Sequence, residues 1–282
     1  MIIDFTKMQG LGNDYIYIDC INNNINIDNV EEFVKKVSNR NFGIGSDGVI
    51  FILPSEIADV KMQMYNADGT KSNMCGNGIR CVGKYCYDHG IAKKKEINVE
   101  TLAGIKKLKF QIKNDKVEKI TVNMGKANLR AEEIPINKEK AKENKKYLST
   151  IIDNREYIVV SMGNPHAITF VDNIDKETVE NIGKKVENSI EIFPERTNVE
   201  FIKIENENKI KMRVWERGTG ETLACGTGAC ASAVASYLKG YTKEKVEVEL
   251  LGGNLEIEIK EDLEVFMTGP AVEVFEGKFE WR

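Results

Sequence analysis

Cys75 and Cys225 each open a short glycine-bearing phrase, Cys-Gly-Asn-Gly at 75–78 and Cys-Gly-Thr-Gly at 225–228, and the two phrases lie 150 residues apart. A thiol titrates near pH 8.5 in an ordinary setting. The positive end of a helix dipole lowers that value and makes the sulfur a usable base. The backbone N–H groups beside it, which glycines leave open to close approach, can hold a carboxylate and stabilise charge that develops on it. Two such corners facing one carbon would let one sulfur remove a proton while the other delivers one to the opposite face. That is inversion of a stereocentre by two bases.

The duplication runs beyond the phrases themselves. Ten residues before each cysteine stands an aromatic, Tyr65 and Trp215, and fifteen after each stands a glycine, Gly90 and Gly240. Asn13, in Gly12-Asn13, precedes Cys75 by 62 residues, and Asn164, in Gly163-Asn164, precedes Cys225 by 61. One Cys-Gly-x-Gly alone would be weak, because free cysteine is often a small buried hydrophobe. Two copies with matched flanks point to a duplicated domain in which each half contributes a thiol. Cys20, Cys81, Cys86 and Cys230 lack the doubled context and read as core or helix residues.

The elements that would position these thiols follow from periodicity. Ile16–Ile18 and Val49–Leu53 are β-rich runs, and 29–38 has helical spacing through Val30, Phe33, Val34 and Val37. After the first phrase, Ile79, Val82 and Cys86 recur at helical spacing as far as Asp88. Gly90 then suits the left-handed position past a helix end. After the second phrase, the small-residue run Ala229–Leu238 predicts a helix packed closely on all sides and closed by Gly240. Each cysteine is thus expected at a helix N-terminus. Each copy continues into a hairpin, 97–102 with 105–112 and 246–251 with 255–259. The lysine-rich stretch 138–146 reads as a solvated segment or linker. The domain change is placed near residue 125.

Composition narrows the function. The chain has 282 residues, 41% of them hydrophobic, a net charge of −4 and interspersed charges, so it offers no broad basic surface for nucleic acid. No run of about 18 apolar residues and no basic-then-apolar leader is present, which reads as a soluble, cytoplasmic protein with no membrane partner. Six cysteines in a chain of this length fit reduced thiols better than a disulfide scaffold. Only His89 and His166 are available, and the Cys75–Cys81 and Cys225–Cys230 spacings are not those of zinc sites, so no metal is expected. No phosphate-loop pattern occurs, and no lysine has the distinctive context of a pyridoxal phosphate Schiff base.

Gly10-Leu11-Gly12-Asn13-Asp14, Asn66-Ala67-Asp68-Gly69, Met74–Cys81, Met162-Gly163-Asn164-Pro165-His166, Pro194–Asn198 and Glu216–Cys230 together resemble diaminopimelate epimerase over nearly the whole chain. The resemblance implies a cofactor-independent isomerase that converts L,L-diaminopimelate to the meso form in lysine biosynthesis. It carries over Cys75 and Cys225 as the catalytic acid/base pair, with His166 near Cys75 and Glu216 near Cys225 as groups that set their protonation. It also implies that backbone N–H groups of Gly76, Asn77, Gly226 and Thr227 hold the reacting carboxylate. Asn13, Asn66, Asn164, Asn198, Glu216 and Arg217 would line the rest of the substrate site, with Arg217 able to pair bidentately with the distal carboxylate. By composition alone, the asparagines could be turn residues and Arg217 a surface ion pair. Where some members carry a substrate-contacting Gln, this chain has Gly48, so no side-chain contact is expected there.

The expected fold is α/β: two pseudo-symmetric domains, 1–125 and 126–270, each a mixed or antiparallel β structure wrapped around a central helix, with the active site in the interdomain cleft. The stretch 271–282 is expected to return to the first domain, and a homodimer is compatible with the resemblance. The duplication is imperfect, since Tyr15 is matched by His166 and Asn66 by Glu216, as an asymmetric substrate would require. Two other readings remain open here. One is an enzyme like proline racemase or hydroxyproline epimerase, which would not need Arg217 and the asparagines for a second carboxylate. The other is a thiol redox-switch binding protein, which would exchange no α-proton.

Overall fold

The computed structural model describes residues 1–23 and 25–281. The chain forms two compact units, one of residues 1–122 with the stretch from Gly269 onward, the other of residues 123–268. Of the stretch expected to return, Arg282 lies outside the described residues.

In the first unit β1 (Ile2–Gly10) turns back into antiparallel β2 (Asn13–Asp19) through Leu11 and Gly12, both at positive φ. Helix α1 (Val30–Ser38) connects β2 to β3 (Gly48–Leu53), which lies parallel to it. β3 pairs antiparallel with β4 (Val60–Asn66), and β4 with the two-residue β5 (Lys71–Ser72). Helix α2 (Gly76–Asp88) follows, then β6 (Glu96–Thr101) parallel to β4, and the hairpin partners β7 (Gly104–Lys113) and β8 (Lys116–Lys126). The chain leaves the first unit within β8.

The second unit repeats this connectivity. After β9 (Lys142–Glu143) and β10 (Leu148–Ile152), β11 (Arg155–Ser161) pairs antiparallel with β12 (Pro165–Phe170). Helix α3 (Lys176–Glu187) connects β12 to its parallel partner β13 (Asn198–Asn206). β13 pairs with β14 (Lys209–Glu216), β14 with β15 (Gly220–Glu221), and helix α4 (Gly226–Leu238) leads to β16 (Lys245–Leu250), which lies parallel to β14. β17 (Gly253–Ile259) and β18 (Glu264–Gly269) complete the copy. The chain then returns as β19 (Val272–Glu280), antiparallel along β1.

Local chemistry explains the helices. Asn29 caps α1 by accepting the Glu32 N–H at 3.2 Å, and the apolar stripe Phe33, Val34 and Val37 is buried. Phe33 receives Phe279 and Trp281 edge-on, at centroid separations of 6.3 and 5.3 Å, which ties the returning strand into the core of the first unit. In the second unit Phe201, Phe193, Tyr157, Val159 and Leu148 form the matching core against α3.

Helices α2 and α4 begin a turn earlier than periodicity alone predicts, because Gly-Asn-Gly and Gly-Thr-Gly form their first turns rather than loops. Nearly every residue of α4 is buried, as its Ala and Ser content allows, and strands contact it on several sides. Helix α3 lacks a sequence signal of comparable strength. Only Val179, Gly183, Val186 and Glu187 are buried in it, and Gly183 is required because a Cβ there would meet the Trp215 ring carbon at 2.8 Å. The lysine-rich 138–146 stretch is a mostly exposed surface segment inside the second unit, and its residues 142–143 form β9. Among the described residues no helix is long and apolar enough to cross a membrane.

Candidate active site

Cys75 is the N-cap of α2, in an extended conformation, and its sulfur accepts the Gly78 N–H at 3.4 Å. The same sulfur lies 3.2 Å from Asn13 Oδ1 at the start of β2. Asn13 is oriented in turn, since its Nδ2 donates to Asp47 Oδ2 at 2.7 Å, and Asp47 is held by Arg40 at 2.8 Å. Tyr15 is buried next to Cys75 and Asn13. Burial, then the proximity of Cys75, pushes its phenol well above its ordinary value, so it stands as a neutral hydroxyl.

Arg80, fully buried one turn into α2, reaches back to the Gly76 carbonyl and Asn77 Oδ1, at 3.1 and 2.9 Å. It also donates to the Pro270 carbonyl at 3.1 Å, locking the first turn against the returning stretch. First-turn N–H groups lie outside a helix's own hydrogen-bond ladder, and Gly76 and Asn77 occupy that first turn beside the sulfur. Asn66 ends β4 opposite Gly48, and its amide donates to Thr70 Oγ1 at 3.0 Å. Gly48 can hold no side chain: a Cβ there would overlap the Tyr65 carbonyl oxygen. A Gln at this position would therefore have no room on this backbone.

The second half-site repeats the sulfur geometry with a different electrostatic surround. Cys225 is the N-cap of α4, accepts the Gly228 N–H at 3.4 Å and lies 3.5 Å from Thr227 Oγ1. Its thiol is pushed well above its ordinary value, first by burial and then by the negative charges of Glu216 and Glu200. Cys225 therefore rests as the protonated thiol. Glu216, at the end of β14, is raised by burial and by Glu200, against the opposing effects of its Thr222 hydroxyl contact, His166 and Cys225. A carboxylate shifted toward the thiol in this way is a suitable proton acceptor for it.

His166, on β12, is fully buried. Its Nδ1 is 2.6 Å from Glu200 Oε1 on β13, and its Nε2 is 3.1 Å from Asn164 Oδ1. Asn198 donates to the Pro165 carbonyl at 2.8 Å and accepts the Arg217 backbone N–H at 3.0 Å, fixing the loop from which the Arg217 side chain extends. The Arg217 guanidinium is exposed and donates to the Glu195 carbonyl at 3.0 Å.

The structure thus gathers Asn13, Gly76 and Asn77 around Cys75 in the first unit, with Asn66 at the end of β4. It gathers Glu216, Gly226 and Thr227 around Cys225 in the second, with His166 and Asn198 on neighbouring strands and Asn164 and Arg217 in the turns beside them. Two further residues carry no reading from the sequence, Asp47 behind Cys75 and Glu200 behind His166, while Tyr15, the expected counterpart of His166, stands beside Cys75. The signal for Glu200 was a lone acid in the apolar run Val199-Glu200-Phe201-Ile202. All six cysteines are free, and burial raises Cys20 and Cys81 each to about 11. Among the described residues His89, Glu273 and Glu276 are close enough to share a cation. His89 is the C-cap of α2, at the opposite end of that helix from Cys75, and is paired with Glu273 at 3.0 Å.

This architecture is found in other solved proteins. A phenazine biosynthesis protein of the PhzF family from Bacillus anthracis superposes with a TM-score of 0.70 at 16% identity, covering all of both chains. A probable proline racemase from Agrobacterium radiobacter K84 superposes with a TM-score of 0.68 at 14% identity, covering 99% of this chain and 93% of that one. The fold is therefore shared with a phenazine biosynthesis protein and a probable proline racemase. At the level of sequence, the pattern described as "Diaminopimelate epimerase" matches residues 5–130 and 158–274. Diaminopimelate epimerase of Methanococcus maripaludis strain S2 is 53% identical over 277 residues, 98% of this chain and 99% of its own. That of Acetivibrio thermocellus is also 53% identical, covering 97% of each chain. The chain belongs to the diaminopimelate epimerase family, whose members are isomerases.

Proposed function

We propose that the protein interconverts L,L- and meso-diaminopimelate, a step that supplies lysine, by passing the α-proton between Cys75 and Cys225 without a cofactor. The observation that carries the reading is the repeated sulfur corner: each cysteine caps a buried helix and accepts the third residue's N–H at 3.4 Å. In one direction a thiolate forms an S–H bond as the Cα–H bond breaks, and the electron pair is delocalised into the carboxylate. The opposite thiol then donates its proton to the other face, leaving that sulfur as the thiolate. The reverse reaction exchanges the roles. First-turn N–H groups of Gly76, Asn77, Gly226 and Thr227 stabilise the carboxylate as it gains charge. Glu216 accepts and returns the Cys225 proton, and His166 serves as the second proton partner.

The asparagines and Arg217 recognise the amino group and the distal carboxylate. Arg217 supports this reading because its backbone is anchored by Asn198 while its guanidinium remains exposed. A proline racemase-like activity rests only on fold neighbours of 13–14% identity, whereas a relative in the narrower family is 53% identical over 98% of the chain. The reading implies a cytoplasmic enzyme with a small-molecule substrate.

The test is NMR of L,L-diaminopimelate with the reduced protein in deuterated buffer, with no pyridoxal phosphate or metal added. Loss of the α-proton signal together with appearance of the meso isomer is expected. Folded protein with free thiols that produces neither would overturn the reading.

A further inference from the structure

Glu200 is among the most completely buried residues of the protein, an uncommon place for a carboxylate. Oε1 meets His166 Nδ1 at 2.6 Å, with both side chains fully enclosed, while Oε2 has no hydrogen-bond partner. A buried carboxylate with an unsatisfied oxygen is costly and persists where something depends on it.

The duplication shows what the first unit has at the same place. The parallel pairing of β2 with β3 sets Tyr17 beside Ile50, and that of β12 with β13 sets Ile168 beside Glu200. Ile50 Cδ1 lies 2.7 Å from where a Cβ on Gly78 would stand, and Glu200 Oε1 lies 2.7 Å from where one on Gly228 would stand. Gly78 and Gly228 hold the same place relative to Cys75 and Cys225. Glu200 is therefore the counterpart of Ile50, and His166 the counterpart of Tyr15. Where the first unit carries tyrosine and isoleucine, the second carries histidine and a carboxylate in contact with one another.

We infer that Glu200 is a positioning residue for catalysis, its carboxylate fixing the proton of His166 on Nδ1 and leaving Nε2 as the atom through which the ring accepts and gives a proton. An ionised carboxylate oxygen can only accept, so Glu200 at 2.6 Å takes the Nδ1 proton, and Asn164 Oδ1 at 3.1 Å receives Nε2–H when the ring carries its second proton. An ionised Glu200 also stabilises the imidazolium whenever Nε2 is protonated. Glu216 on β14 and the Cys225 sulfur at the start of α4 are the other titratable groups close to this pair, and Glu200 acts electrostatically on both. The catalytic consequence rests on the proposed two-thiol function; the tautomer does not.

The chain contains only two histidines, so ring-¹⁵N-labelled protein shows two imidazoles, and His89→Asn assigns them. In the parent, the His166 ring is expected to carry its proton on Nδ1, with that proton shifted strongly downfield by the short hydrogen bond. Glu200→Gln keeps the shape and an acceptor but removes the charge. It should move the downfield Nδ1 proton signal back toward the ordinary range, and lower kcat by on the order of 10²-fold with KM nearly unchanged. In a His166→Asn background the same substitution should have little further effect. Glu200→Asp, which retains the charge, should restore part of kcat. A parent ring protonated on Nε2 alone, or Glu200→Gln folded with an unchanged Nδ1 proton signal, would overturn the inference. The ring spectra are recorded without substrate, so they decide the tautomer even if no diaminopimelate is turned over.

Discussion

Asp47 accepts the Asn13 amide N–H at 2.7 Å, and that bond decides which end of the Asn13 amide faces Cys75. With Nδ2 committed to the carboxylate, Oδ1 points at the sulfur and can accept its S–H. Asp47→Asn lets the Asn13 amide turn over at little steric cost. A hydrogen bond to a charged partner contributes about 1.5 kcal/mol at the lower end of its range, so turnover should fall on the order of tenfold. Steady-state rates for Asp47→Asn, Asn13→Ala and the double variant form a cycle, and strictly additive losses would show that the two residues act apart.

Replacing either cysteine by serine separates capping from proton transfer. Serine is a better N-cap than cysteine and can take over the Gly78 or Gly228 N–H, so folding should be preserved. The hydroxyl is far too weak an acid to serve as the base, and loss of one acid/base group costs about 10²- to 10⁴-fold. Cys75→Ser and Cys225→Ser should therefore melt near the parent temperature while epimerisation nearly disappears. Well-folded serine variants with parental turnover would remove both sulfurs from the mechanism.

Glu216 connects activity to stability through pH. Its carboxyl is raised from the ordinary 4.5, chiefly by burial, so the folded protein binds its proton more tightly than the unfolded chain does. The stabilisation this provides is complete below the ordinary value and is lost as pH rises through the folded one. Glu216→Gln removes the dependence. The melting temperature of the variant relative to the parent should rise from acid to neutral pH, while turnover falls. A difference in melting temperature that is flat with pH would show that Glu216 is not held above its ordinary value.

How much of this was legible beforehand depends on the range of the interaction. The two cysteine corners and the helix stops at Gly90 and Gly240 are written in contiguous residues, and a duplication within one chain makes them visible twice. Helix α3 escaped notice because its buried stripe is thin and is interrupted by Gly183, which is there to clear Trp215. The His166–Glu200 pair joins residues 34 apart through parallel strands, and no local pattern encodes parallel register. Arg80 likewise reads as an ordinary helix arginine until Pro270 returns to meet it.

Thiol reactivity should rank by exposure and environment. Cys75 is half-buried and Cys225 buried, with the Cys225 thiol pushed up by burial and two carboxylates. Cys20, although half-buried, is raised to about 11. Iodoacetamide at neutral pH should therefore label Cys75 first, and activity should decline in step with that adduct. Peptide mapping at partial inactivation reads the order directly, and Cys225 labelled ahead of Cys75 would contradict the electrostatic asymmetry of the half-sites.

The same asymmetry predicts unequal responses to one methyl group placed at equivalent points. A Cβ at Gly78 would press on the end of Ile50, an apolar tip that can turn away within its core; a Cβ at Gly228 would press on Glu200 Oε1, which is held on His166. Overpacking a core costs about 1–3 kcal/mol, partly offset in a helix by roughly 1 kcal/mol gained on replacing Gly with Ala. Gly78→Ala should fall at the mild end of that balance. Gly228→Ala must either shift α4 or break the Glu200–His166 contact, so it should be the more destabilising and should lower turnover disproportionately. Adding Glu200→Ala to Gly228→Ala relieves the clash, so melting temperature should recover while turnover does not. Recovery of both together would mean that the carboxylate only fills space, and equal effects of the two single alanine substitutions would mean that the half-sites are alike.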